Sequence, residues 1–147
     1  MPAYSRLSLY ILCMFVLSAC SSRSAQELIG IQANKTYPDM YLRGVFNWWE
    51  ADPAYKLAQV SATKYELTIE LIADGQPYDF KVADGQWRAE YNCGLPQMDQ
   101  LIEIGSKVEL VCQQNSLNIQ FIPDATAMFL IQFDTSGYSP TLRIKKI

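Results

Sequence analysis

From Met40 onward, short apolar runs alternate with polar residues and are cut by turn formers. The segments "MYLRGVF", "YKLAQV", "KYELTIELI", "PYDFKVAD", "WRAEYN", "KVELVC", "LNIQFI", "AMFLIQFD" and "TLRIKKI" are rich in Val, Ile, Thr, Tyr and Phe. Between them stand Pro, Gly, Asp and Asn signals such as "ADP", "ADG", "CGLP", "IPD" and "SGYSP", the punctuation of strands rather than helices. In one strand Tyr65, Leu67, Ile69 and Leu71 share a face and Glu66, Thr68 and Glu70 the other, as in a half-buried antiparallel strand. No segment keeps a helical period over three turns, and strands at this spacing predict an all-β, immunoglobulin-like antiparallel sandwich.

The N-terminus follows a different rule. Arg6 precedes an apolar run from Leu7 to Leu17, and small residues follow before Cys20. That order is expected of a secretory signal over 1–19, too short to span a bilayer. Its end, "LSAC", resembles the bacterial lipobox, which makes Cys20 the lipidated first residue of the mature chain. An ordinary signal with a plain Cys20 thiol is the alternative. Residues 20–39 read as a polar tether and 40–147 as the sandwich domain. Ser21 after the cysteine resembles the sorting signal for the outer membrane, so the expected location is the cell envelope, lipid-anchored.

Composition narrows the function. Twelve basic residues face fifteen acidic ones, and no basic patch is available to neutralise nucleic-acid phosphates. The chain has no histidine, which removes His triads, His metal ligands and the commonest general base. No phosphate or dinucleotide fingerprint occurs. The acids Asp52, Glu66, Glu70, Asp74, Asp79 and Asp84 fall in turns or on polar strand faces, where solvation explains them better than glycosidase chemistry. No enzyme activity, cofactor or metal is expected. With Cys20 lipidated, Cys93 and Cys112 form an even pair in an oxidising compartment, so a disulfide between them is expected, with two buried thiols as the alternative.

Aromatic and amide chemistry remains. Sugars present flat C–H patches on which rings stack, and amides or ammonium groups read their hydroxyls. Trp48, Trp49 and Trp87 are the chain's tryptophans. Composition alone favours core packing of all three over stacking platforms, since tryptophan is highly buried on average.

The arrangement of these residues resembles the starch- and glycogen-binding modules of the CBM48 and early-set type, found in pullulanases, branching enzymes and the β subunit of AMP-activated protein kinase. The likeness rests on Gly44, Phe46, Asn47 and Trp49 in "GVFNWW", on Phe80, Lys81, Asp84, Gly85 and Trp87 in "FKVADGQW", on Tyr91, Asn92 and Gly94 in "YNCG", and on Asn118 in "LNIQF". It covers residues 40 to about 95 well and the rest loosely. The resemblance implies a shallow site for α-glucan chains in which Trp49 and Trp87 stack and Lys81 and Asn118 hydrogen-bond hydroxyls, with Asn115 competing for the asparagine position. Asp84–Gly85 would form the turn presenting Trp87. If the strand runs through "NWW", alternation packs Trp48 and offers Trp49 to solvent. In this sequence no catalytic barrel follows the module, and the cysteine pair is not a family hallmark. The expected partner is an α-glucan, with the membrane met through the lipid. An envelope scaffold that uses the sandwich to hold a protein partner is the rival.

Overall fold

Alternating burial along the strands builds two antiparallel sheets that share one core. The structure is a computed structural model, and it describes residues 35–98 and 100–147; Cys20, the signal and most of the tether lie outside them. In the first sheet β1 (Met40–Gly44), β4 (Tyr78–Asp84), β5 (Cys93–Gly94) and β7 (Val111–Cys112) follow in order, and β8 (Ile119–Phe121) also pairs with β4. The second sheet runs β2 (Ala58–Gln59), β3 (Lys64–Leu71), β9 (Ala127–Asp134), β10 (Thr141–Lys146), β6 (Lys107–Glu109). Met40, Leu42, Phe80, Val82, Ile119 and Phe121 point inward from one sheet; Tyr65, Ile69, Phe129, Ile131, Phe133 and Leu142 meet them from the other. Phe121 and Phe129 touch edge to face across the two layers, ring centroids 5.4 Å apart. The fold is a two-layer β-sandwich, as the strand pattern predicts. Its compact unit begins at Thr36, because Tyr37 packs against Tyr65, Tyr91 and Phe133.

Several expected strands are shorter, divided or absent: "LNIQFI" keeps only Ile119–Phe121, and "KVELVC" divides into β6 and β7 of different sheets. "MYLRGVF" stops at Gly44 and turns through a 3-10 segment, Val45–Asn47. A side chain at Gly44 would strike the Asp79 carbonyl oxygen at 2.5 Å, so glycine lets the strand end lie against β4. "YKLAQV" contributes only Ala58–Gln59, because Pro53 and the Asp52 side chain, which accepts from the Ala54 N–H, hold the preceding residues in a turn. "WRAEYN" is a 3-10 turn over Ala89–Tyr91, because the backbone leaves β4 at Asp84 into a turn held by that side chain.

The disulfide joins Cys93 and Cys112, directly opposed on β5 and β7. It closes a loop of 19 residues in sequence separation, worth about 3 kcal/mol in the chain-entropy model. Asn92 continues the clasp: its carbonyl accepts from the Gln113 N–H and the Ser116 hydroxyl. Together they fix the 113–118 connection that leads into β8. Reduction is expected to lower the melting temperature by roughly 10 °C, measured by thermal unfolding with and without dithiothreitol.

Candidate functional site

The outer face of the first sheet carries one row of residue types suited to sugars. Arg43 on β1 stands opposite Lys81 on β4. The β4–β8 pairing ends at Phe80 with Ile119, and Asn118 lies exposed just before that end of β8. Two turns then bring tryptophans over the row.

The first turn is built by Asn47. Its Oδ1 accepts from the Gly44 N–H, and its Nδ2 donates to the carbonyls of Leu42 and Glu50. The Trp49 N–H closes on the Gly44 carbonyl at 2.9 Å. Inside this hook Trp48 and Trp49 both have left-handed backbone, φ 55° and 62°. Strand alternation therefore does not reach them, and the expectation for Trp48 is reversed: its side chain is 88% exposed, while Trp49 is half-buried.

The second turn is built by Asp84, which is fully buried rather than solvated as its sequence position suggests. Its Oδ1 accepts from the backbone N–H groups of Gln86 and Arg88, and its Oδ2 accepts from the Arg88 side chain. Gly85 does not take the left-handed position; Trp87 does, at φ 58°. Burial alone raises the Asp84 carboxyl, but the Arg88 hydrogen bonds and charge, with the Gln86 N–H, outweigh it and hold it below the ordinary carboxylate range.

The two turns meet. Trp49 and Trp87 lie with ring centroids 6.4 Å apart, inclined at 40°, and Trp87 is 37% exposed. Beneath Trp87 sits the Arg43 guanidinium, its Cζ 3.9 Å from the ring centroid. Arg43 Nε donates to the Trp49 carbonyl and Nη1 to the Asp84 carbonyl, so one side chain ties both turns to β1. At 5% exposure its pKa is lowered by burial, partly restored by Glu50 and Asp84. Lys81 donates to the Ser116 carbonyl, and burial lowers its pKa. An ammonium carries three donors, so this bond does not exhaust it.

The structure thus brings Trp49 against Trp87 and sets Lys81 beside Arg43 beneath them, while Asn118 is exposed next to β8. Sequence reasoning missed Arg43, and no local signal marks it: its role depends on two turns meeting above it. All three tryptophans, and no other non-glycine residue among those described, have positive φ. Each costs on the order of 1–3 kcal/mol and persists only where its surroundings hold it, a pattern concentrated at ligand sites. Among the described residues no group of three or more His, Cys, Asp or Glu is placed to hold a metal.

Neither the protein-family models nor the curated proteins give a match to this chain. A solved structure, "Ligand induced structure of AmyP-SBD", superposes with TM-score 0.53 over 89% of this chain and 91% of that one, at 13% sequence identity. The likeness is one of fold.

The pH behaviour of the site follows from Asp84. Its depressed pKa contributes stability that is present above the unfolded value, about 3.9, and is lost as pH falls through the folded value. With no histidine in the chain, stability contributed by the Trp87 turn is expected to hold between pH 5 and 8 and fall below about pH 4. Melting temperatures across pH 2–8 check this, and Asp84→Asn should flatten part of the acid limb.

Proposed function

We propose that this protein is a non-catalytic carbohydrate-binding lipoprotein of the bacterial envelope that recognises α-glucan chains. A lipid on Cys20 anchors it, with the outer membrane as its location. Trp49 and Trp87 form the stacking platform, and Lys81 and Asn118 donate to sugar hydroxyls. The observation that carries the reading is the strained placement of Trp49 and Trp87 beside one another in two turns, above the Arg43 guanidinium and next to the strand position of Lys81. Two further supports are the resemblance of "GVFNWW" and "FKVADGQW" to CBM48-type modules and the shared fold with a starch-binding domain. An open platform buries little of its ligand, so affinity is weak and gained by repetition along a polymer. Electrophoresis through gels containing glycogen or soluble starch tests this: the wild-type chain is retarded, and a dextran gel leaves it free. Equal mobility in all gels, with a protein partner retained from envelope extracts whether or not oligosaccharide competes, would instead establish the scaffold role.

A further inference from the structure

Past Lys81 the outer face continues over β8 to the loop between β5 and β6. Leu95 bridges to Leu117 and Leu101 to Gln120, so this loop is laced along β8. Between loop and strand lies a groove of about 320 Å³, lined by Gln97, Met98, Gln100, Leu117, Asn118 and Gln120 among others. Its volume is near the lower bound of small-molecule sites. None of these side chains is ionisable. Four of them are carboxamides, each offering an acceptor oxygen and a two-donor nitrogen, which matches hydroxyls that both give and accept. Met98, 78% exposed, adds an adaptable apolar contact. Beside Gln120 in register stands Asp79, one of whose carboxylate oxygens is buried without a hydrogen-bond partner.

The groove is in line with the tryptophans. Arg43, under Trp87, opposes Lys81 on the next strand, and Lys81 donates to the carbonyl of Ser116, which lines the groove with Asn118. Two strand spacings, roughly 10 Å, therefore separate the Trp87 stack from the start of the groove. A chain lying across the strands leaves the tryptophan pair, passes Lys81 and reaches the carboxamides.

We propose that this groove is a second, polar subsite for the same glucan chain, reading units beyond those stacked on Trp49 and Trp87 and giving the protein a preference for longer chains. The proposal rests on the glucan reading above. Its chemistry selects a neutral, polyhydroxylated ligand, since among the described residues the lining carries no cation to pair with an acidic sugar or a phosphate. The occupant is a continuation of the stacked chain, because Lys81, beside Arg43 on the sheet, reaches Ser116 at the edge of the groove.

Affinities of the full chain for maltotriose and maltoheptaose test it. The wild type is expected to bind maltoheptaose at least about tenfold tighter. Gln97→Ala/Gln120→Ala, both at exposed positions, is expected to keep maltotriose affinity within about twofold, which also verifies its fold, and to lose the larger part of the length gain. An unchanged ratio in the double variant overturns the subsite while leaving the tryptophan platform intact. Failure of the wild type to bind either oligosaccharide overturns the glucan reading itself, and the subsite with it.

Discussion

Trp87→Ala is expected to abolish retardation in glycogen gels while leaving the protein folded. In the proposed site the ring supplies half of the platform, and truncating a central aromatic anchor costs about 2 kcal/mol or more, near a thirtyfold loss. An already weak site then falls below detection. Stability should fall modestly, because alanine still bears the cost of φ 58° and gives up the ring's contacts. Removing the ring forfeits its contact with the Arg43 guanidinium, worth about 0.5–2 kcal/mol. Trp87→Gly separates the two effects, since glycine takes φ 58° without the steric cost borne by other residues. Both variants should lose binding, and the glycine variant should be the more stable. Thermal unfolding and affinity electrophoresis on the same preparations check this.

Arg43→Ala is expected to damage stability and binding together. The substitution strips the Trp49 and Asp84 carbonyls of their donors and removes the support under Trp87. A buried polar group left unsatisfied costs about 1–3 kcal/mol, so a loss of roughly 3 kcal/mol, near 10 °C in melting temperature, is expected. Arg43→Lys is the sharper variant. It keeps the charge but offers a compact ammonium in place of the planar fork, so it cannot stack on Trp87 while serving both carbonyls. It should retain more stability than alanine and recover little binding. A lysine variant that binds like wild type would show that Arg43 only fills space.

The sandwich is legible in the chain because its physics is local. Tyr65, Ile69 and Leu71 are buried and Thr68 and Glu70 exposed, as period-two patterning requires. The Cys93–Cys112 bond was accessible from cysteine count and compartment. The tryptophan geometry was not. Alternation assigned Trp48 inward because "GVFNWW" reads as one strand, but Asn47 folds back on Gly44 and Leu42 and ends it. Aromatic residues carry no preference for positive φ, so nothing in the letters places Trp48, Trp49 or Trp87 there. "DGQW" marks a turn correctly, yet its usual reading assigns the left-handed residue to glycine, whereas Asp84 bonds to Gln86 and Arg88 force it onto Trp87. The place of Arg43 beside Lys81 became visible only through strand register, a long-range property that one sequence does not state.

The platform makes one demand above all others: a glucan must cover tryptophan. Titration of the wild-type chain with maltoheptaose into the millimolar range, followed by tryptophan emission and acrylamide quenching, measures that directly. A saturable emission change with Trp49 and Trp87 protected from quencher, absent in Trp87→Ala, is the expected result. Unchanged emission and undiminished quenching across the titration would contradict the assignment of this face to α-glucan.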